Sequence, residues 1–466
     1  MSEWKNIPLS AKLYQNAAES VLRGETAALE NAYVTAVGSL SRFPQLVDFI
    51  DLPLASRVYL EELRGDLIAS CGGRTYRIDI NNVTSEDLTG AAVSGNGRTT
   101  FAKTDDDQLL MAAGGKIITL KSKKTTILSD DAPETTHVGY KDGYAMAAEK
   151  GSGRFNISKP GQYNVWDPLD IFSAEGNPDN INALLITENE ELILAGPASI
   201  EQFDSAPSGI KPFFKRWGLG NGLLTPYAFL SAQNRIWGFN QDRDWTAYSS
   251  QIGDSASKDI EARLETLDDI TEAWASKISV DGQKFQILQF PNATNVYGTK
   301  GVTFLYDYLK NRWGALYGWN QQLAVPDRWP GWSVKQIGER KFIGGEGKIY
   351  ELKGNAGVGT QRFLWRSGHL DFPGSVDFRI NRLRMRIERG EVAQNAAEPV
   401  ISMRCNKNNR GFGRWMRRGL GLSGKRHMIL EFPSVGIANS FQFEIMVTDD
   451  IAIKLSKVDM HTTPMA

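Results

Sequence analysis

The chain has 466 residues, of which 41% are hydrophobic, and its formal net charge is −1. A chain of this length can bury a large core, and it is too long for one ordinary domain unless that domain is built from repeats. Because the chain has only two cysteines, a disulfide framework is not expected. Because the N-terminus lacks a secretory signal and no apolar run reaches about 18 residues, we expect a protein made in a cytoplasm without a membrane-spanning segment.

Charge is divided unevenly along the chain. From Arg362 onward there are seventeen Lys and Arg against ten Asp and Glu, a balance of +7, so the preceding residues carry −8. Such asymmetry predicts two regions with different partners.

Residues 1–54 are predicted to form an N-terminal arm and a first strand. Residues Asn16 to Glu30 indicate a short helix that Gly24 interrupts, and from Leu29 the pattern changes to a strand that ends at Pro44. The segment is either an ordinary first strand or an arm that contacts a partner.

Residues 55–355 repeat one unit, an apolar strand, a tight turn marked by Gly or Asn, and a second strand. The turns fall near residues 73, 115, 153, 189, 234, 282 and 346. Most of these spacings match four-stranded propeller blades, so we predict an all-β protein with a β-propeller of six or seven blades. A pair of β-sandwiches or a β-helix is the alternative.

One helix is predicted inside this region, from Ser257 to Trp274. Ile260, Leu264, Leu267 and Ile270 form an apolar stripe opposite an acidic face. We expect the stripe to pack across or between blades, with the acidic face either solvated or repelling DNA from a channel wall.

A tryptophan cluster follows at Trp313, Trp319, Trp329 and Trp332. Large aromatic side chains mostly fill interfaces between blades, and a sugar-stacking platform is the alternative interpretation.

Residues 360–466 are predicted to form a basic C-terminal domain resembling a β-sandwich. From Phe378 to Glu388 apolar residues alternate with Arg382, Arg384 and Arg386, which indicates a strand with one cationic face. Further strands are predicted at 399–403, 428–432 and 441–447.

A basic segment without any acidic residue lies between these strands. Its cations are Arg404, Lys407, Arg410, Arg414, Arg417, Arg418, Lys425 and Arg426. Phe412 and Trp415 are interleaved with these cations. Three interpretations are open: the segment holds DNA phosphates without reading the base sequence, it binds an acidic protein neighbour, or it is simply solvated.

The sequence shows no pattern for a catalytic, cofactor or metal site. The four histidines are isolated, and the boxes typical of glycosidase propellers are missing. We therefore expect a protein that is not an enzyme and needs no cofactor. A propeller-type polysaccharide-binding protein or depolymerase is the alternative, as is a free propeller that binds carbohydrate or protein.

Several stretches resemble one family. They are residues 170–181 (DIFSAEGNPDNI), 192–203 (LILAGPASIEQF), 40–44 (LSRFP), 67–78, 303–307 (TFLYD) with 311–313 (NRW), and 382–424. In their order and spacing these resemble the packaged-DNA stabilisation protein of short-tailed bacteriophages, the tail nozzle or hub protein.

The resemblance implies a structural protein of the virion tail, assembled in the host bacterial cytoplasm. It implies a homohexameric ring beneath the portal and its adaptor ring, which continues the DNA channel, retains packaged double-stranded DNA and serves during genome ejection. Docking surfaces for tail fibres or spikes and for a needle or plug are implied as well. By charge, we expect an acidic propeller face of one subunit to meet the basic C-terminal face of the next.

Overall fold

Strands dominate the chain, as the turn-rich sequence predicts. The computed structural model describes residues 2–9, 27–173, 179–206, 212–354, 361–372, 376–391, 397–422 and 426–465. The first described strands are short, and they are β1 (Glu3–Ile7), β2 (Ala28–Glu30), β3 (Ala32–Val34), β4 (Leu40–Arg42) and β5 (Gln45–Asp51).

Six four-stranded blades then follow one another, each an antiparallel meander. Blades 1 to 3 are β6 (Val58–Leu63), β7 (Asp66–Cys71), β8 (Arg74–Asp79) and β9 (Thr84–Asp87); β10 (Thr100–Lys103), β11 (Leu109–Ala112), β12 (Ile118–Leu120) and β13 (Thr125–Ile127); and β14 (Thr135–Lys141), β15 (Tyr144–Glu149), β16 (Arg154–Lys159) and β17 (Gln162–Ser173). Blades 4 to 6 are β18 (Ala183–Ile186), β19 (Leu192–Ala195), β20 (Ile200–Ser205) and β21 (Phe213–Leu219); β22 (Phe229–Ala232), β23 (Arg235–Phe239), β24 (Trp245–Tyr248) and β25 (Ile252–Ser255); and, after helix α1 (Glu261–Glu265), β26 (Trp274–Val280), β27 (Gln283–Thr294), β28 (Lys300–Asp307) and β29 (Arg312–Ala315).

The seventh blade closes the ring with a strand from the start of the chain. After a hairpin of β30 (Tyr317–Asn320) and β31 (Val325–Arg328), it contains β32 (Ser333–Ile337), β33 (Arg340–Gly344) and β34 (Lys348–Lys353), and β5 pairs with β34 as its outer strand. The first strands of successive blades pack around an axis from blade 2 through blade 7 to blade 1. The predicted β-propeller is confirmed, and the described residues form seven blades.

Each predicted turn belongs to a different blade. The turns near residues 73, 115, 153 and 346 join the second and third strands of their blades, and those near 189, 234 and 282 join the first and second. At Gly73, φ is +82° and a Cβ would lie 2.9 Å from the carbonyl oxygen of Val93, so glycine is required there. The repeat is irregular because the marked turn changes its position within the blade.

Apolar side chains fill every interface between blades. Separate clusters occupy the interfaces of blades 1 and 2, 2 and 3, 3 and 4, 4 and 5, and 7 and 1, while a Trp-rich cluster lies mainly between blades 6 and 7. The interface of blades 5 and 6 belongs to the largest cluster. Trp313, Trp329 and Trp332 are buried, and Trp319 is half-buried. The tryptophan cluster therefore belongs mainly to the core, as large aromatic side chains in a propeller usually do.

The C-terminal strands build two sheets that include strands from the N-terminal segment. They are β35 (Phe363–Arg366), β36 (Leu370–Asp371), β37 (Phe378–Arg389), β38 (Val400–Lys407), β39 (Met416–Gly419), β40 (His427–Ala438), β41 (Ser440–Val447) and β42 (Ile453–Pro464). One sheet runs β3-β4-β42-β37-β40, with β1 beside β42. The other continues blade 6, because β2 joins β29 to β35 and β35 is followed by β41, β38 and β39.

The propeller and the C-terminal sheets share one apolar core. Phe290 and Trp313 of blade 6 belong to the same buried cluster as Leu383 and Phe443. The N-terminal segment contributes to both parts, so in the described residues it joins them.

One helix prediction needs correction, and the other is tested only at its end. The helix predicted from Ser257 to Trp274 is limited to Glu261–Glu265, because the carboxylate of Asp268 accepts hydrogen bonds from Thr294 and that of Asp269 accepts them from Thr271, which favours an irregular backbone. Its apolar stripe is nevertheless packed into the core. The helix predicted for 16–30 lies mostly outside the described residues, and its last three residues form β2.

Candidate functional site

The basic segment follows an edge of the ten-stranded sheet. Strand β38 ends at Lys407, a loop reverses the chain, and β39 pairs back onto β38 as the edge strand. Asn408 and Asn409 adopt positive φ angles of 52° and 56°, which asparagine tolerates better than most residues. The side-chain oxygen of Asn408 accepts hydrogen bonds from the backbone N–H groups of Asn439 and Ser440, so the loop is anchored at its start.

Arg404 is neutralised inside the protein. Its guanidinium lies 2.6 Å from the carboxylate of Glu444, whose other oxygen lies 2.5 Å from the guanidinium of Arg366. Arg366 and Arg404 flank Glu444 on the two neighbouring strands, because both are its cross-strand partners in the register. Arg404 is therefore held in the fold by a carboxylate that it shares with Arg366, and we regard it as a structural residue.

The aromatic residues of the segment cover this ion-pair cluster. The guanidinium of Arg404 lies 4.7 Å from the ring centre of Phe412 and 4.4 Å from that of Trp415, and Arg366 lies 5.2 Å from Phe412. These are cation–π distances. Phe412 and Trp415 are half-buried on a protein surface instead of projecting as stacking platforms.

The other cations remain largely uncompensated. Arg410, Arg414 and Arg417 are exposed, and in the described part of the chain they form no ion pair. Lys407 also lacks an ion pair there, and its side chain lies against Gly436. Arg418 donates a hydrogen bond to the carbonyl oxygen of Glu431 at 3.2 Å and lies over the ring of Phe432, and it has no carboxylate partner where the chain is described.

The end of the segment differs from its middle. Arg426 pairs with Glu391 at 2.8 Å, with both side chains mostly exposed, and such a surface pair contributes little. Lys425 lies outside the described residues. The structure thus brings Lys407, Arg410, Arg414, Arg417 and Arg418 together as one edge, which we call the basic edge.

The cationic face of β37 lies beside the basic edge. Glu431 pairs with both Arg382 and Arg384, at 3.4 and 2.8 Å, whereas Arg386 is exposed and forms no ion pair among the described residues. Ile429, the cross-strand partner of Arg386, is 60% exposed. The neighbourhood therefore combines free positive charge with exposed apolar surface.

Residues 240–244 (NQDRD) form the turn between β23 and β24 of blade 5. The side-chain oxygen of Asn240 accepts hydrogen bonds from the backbone N–H groups of Asp242 and Asp244, and Asp244 accepts them from Ser255 and Ser257. Over the residues with described positions, no group of three or more potential metal ligands is found, and no helix there has the length and apolarity to cross a membrane.

The sequence reasoning missed two features of this chain. One is the carboxylate of Glu444, forty residues after Arg404, which neutralises that arginine. The other is Arg98, which stands just ahead of blade 2 and donates a hydrogen bond to the carbonyl oxygen of Trp332, just ahead of blade 7. Neither position carries a local signal, because each partner comes from a distant strand.

One protein-family model matches this chain. Residues 31–344 match the model of the family described as Bacteriophage P22 Gp10, beta-propeller. No curated protein matches the chain.

Solved structures with some similarity include the extracellular domain of the one-component system BT4673 from B. thetaiotaomicron, at 11% identity and a TM-score of 0.45, covering 67% of this chain. The chain spans only 40% of that protein's length. YCF48 bound to D1 peptide is another, at 10% identity and a TM-score of 0.42, covering 66% of this chain and 96% of that one. Likeness at this level carries no argument about function. The family match spans most of the propeller, and the chain therefore belongs to the bacteriophage P22 Gp10 β-propeller family of phage structural proteins, components of the virion.

Proposed function

We propose that this protein is a tail nozzle subunit of a short-tailed phage and forms a hexameric ring below the portal and its adaptor ring. The ring continues the DNA channel, helps to retain packaged DNA and offers docking surfaces for tail fibres or spikes and for a needle or plug. The subunit acts as a building block without catalytic or cofactor chemistry. Membership of a phage structural family supports this proposal, and so does a closed propeller joined to a second β-unit through a shared core.

The basic edge is the observation that carries the proposal. Five cations that have no carboxylate partner among the described residues, beside the exposed side chain of Ile429, resemble a protein contact surface more than an ordinary solvated edge. A complementary surface lies between blades 5 and 6, where Asp254, Glu261 and Glu265 are exposed and form no ion pair in the described part of the chain. A head-to-tail contact between the two surfaces generates a closed ring when the rotation per subunit is suitable.

Electron imaging with native mass measurement tests the ring directly. The protein is added to DNA-filled, tailless phage heads that carry portal and adaptor. We expect a six-fold ring at the portal vertex and improved retention of DNA. A protein that stays free in solution contradicts the nozzle assignment, and polysaccharide binding and cleavage assays then test the alternative function.

Charge reversal tests the role of the basic edge. The double variant Arg414→Glu, Arg417→Glu is expected to abolish ring assembly, because it replaces attraction to the acidic neighbour with repulsion. The matched control is Lys123→Glu, Arg154→Glu, which changes the charge equally at two exposed positions on the propeller. Unchanged assembly of the first variant contradicts the subunit contact. Intact rings that retain less DNA assign the basic edge to DNA instead.

A further inference from the structure

A cavity lies on the axis of the propeller, between the first strands of its blades. Its volume is about 530 Å³, a size typical of small-molecule sites. The lining is mixed, and polar side chains cover much of it. Its apolar part comes from Val138, Leu184, Ile186 and Phe229. These residues come from blades 3, 4 and 5, so the apolar wall forms one side of the cavity.

Arg98 reaches across the axis at this cavity. It stands between blades 1 and 2, and its guanidinium donates a hydrogen bond to the carbonyl oxygen of Trp332, which directly precedes blade 7. The same guanidinium lies 4.5 Å from the ring centre of Trp274 and 4.9 Å from that of Tyr59. All three contacts are uncharged, and within the described ranges Arg98 forms no ion pair.

The remaining charges near the cavity balance one another. Lys103 pairs with Glu62 and lies 4.0 Å from Glu61, and Glu61 also pairs with Lys335. Two cations therefore face two anions. Among the described residues Arg98 is left as the uncompensated charge. Removal from water lowers its pKa to about 10, which means that its cationic form is disfavoured where it stands.

We propose that the axial cavity binds a small organic carboxylate, with the carboxylate on Arg98 and an apolar body along the wall. A guanidinium presents a planar fork of donors that fits a carboxylate, and the single side-chain bond to Trp332 leaves donors available. A bare inorganic anion satisfies Arg98 but leaves the apolar wall without contact. The proposal is independent of the role in the tail and of any ring.

Three ligands of equal length test this site on the full-length chain. Hexanoate carries the charge that Arg98 requires, 1-hexanol is neutral, and hexylammonium carries the opposite charge. Calorimetric titration is expected to show hexanoate binding about tenfold or more tightly than hexanol, because a hydrogen bond to a charged group is worth more than a neutral one. Hexylammonium is expected not to bind.

Variants locate the binding. Arg98→Gln is expected to lower the affinity for hexanoate to that for hexanol, whereas Arg98→Lys retains part of the difference. The control Arg64→Gln removes an exposed arginine on blade 1 and is expected to bind as the wild type does. If Arg98→Gln fails to fold, the three-ligand comparison on the wild type still decides the question.

Each other result overturns the proposal. Equal affinity for hexanoate and hexanol means an apolar cavity without an anion site. Absence of hexanoate binding, or binding that persists in folded Arg98→Gln, excludes the role of this arginine. Inorganic phosphate binding as tightly as hexanoate removes the argument from the apolar wall.

Discussion

Replacing Glu444 with glutamine tests the structural core beneath the basic edge. The carboxylate of Glu444 is fully buried, and it pairs with Arg366 and Arg404, whose side chains are 14% and 28% exposed. Glutamine keeps the shape and one acceptor oxygen but removes the negative charge. Both arginines then lose the negative charge that Glu444 places between them.

The expected loss can be bounded. Removing one partner of a buried ion pair destabilises a protein by roughly 3–5 kcal/mol. Because both arginines retain some exposure and the amide oxygen still accepts a hydrogen bond, we expect a loss of about 3 kcal/mol in the free energy of unfolding, the lower end of that range. The matched control is Glu391→Gln, which breaks the pair with Arg426 between side chains that are 82% and 70% exposed, and about 0.5 kcal/mol or less is expected there.

Equilibrium unfolding in urea, followed by far-ultraviolet circular dichroism, measures both losses. A chain of this size is not assumed to unfold in two states, so the comparison uses the first transition of each variant. Equal losses for Glu444→Gln and Glu391→Gln refute the reasoning. The triple variant Arg366→Met, Arg404→Met, Glu444→Leu is expected to recover much of the stability, because apolar groups of similar volume often replace a buried ion pair without loss.

Three further predictions concern the propeller. Burial lowers the pKa of His137 from 6.5 to about 4, so its contribution to stability is complete above pH 6.5 and is lost as the pH falls towards 4. Urea titrations should show that the free energy of unfolding changes by about 3 kcal/mol over this pH range, a change that the variant His137→Gln lacks. Gly95 has a φ angle of +112°, and an added Cβ would lie 2.2 Å from the carbonyl oxygen of Ala113, whereas Gly65 has a φ angle of +84° and open space around it. Thermal unfolding should show a larger loss of stability for Gly95→Ala than for Gly65→Ala, because only about 1–2 kcal/mol of backbone strain is expected at Gly65. Leu46 lies on β5, the strand that closes blade 7, and is 5% exposed. In urea unfolding, Leu46→Ala should lower the free energy of unfolding by roughly 2–5 kcal/mol, whereas the same substitution of a leucine on the surface should cost about 0.5 kcal/mol or less. Equal losses for the two variants contradict closure of the blade by this strand.

Local patterns in the sequence predicted the local structure well. The alternation from Phe378 to Glu388 became β37, with Leu383, Met385 and Ile387 buried. The seven turn positions fall one to a blade, and a residue at or close to each turn has a positive φ angle: Gly73, Gly114, Gly151, Glu190, Asn234, Gly282 and Gly347. The helix predicted from Ser257 to Trp274 was wrong in length because side-chain hydrogen bonds to Asp268 and Asp269 compete with the helical backbone. The partner of Asp268 is Thr294, which lies on β27 and is distant in sequence.

The sequence by itself determined the all-β class, the positions of the hairpins and the basic character of the C-terminal part, since these depend on residues close together in the chain. Only the tertiary structure decided that there are seven blades, because β5 pairs with β34 across some three hundred residues. It also decided that Arg404 is neutralised by Glu444 and that Arg98 has no ion-pair partner among the described residues. The physical reason is that burial and pairing of a charge depend on which strands pack together, and that information is distributed over the whole core.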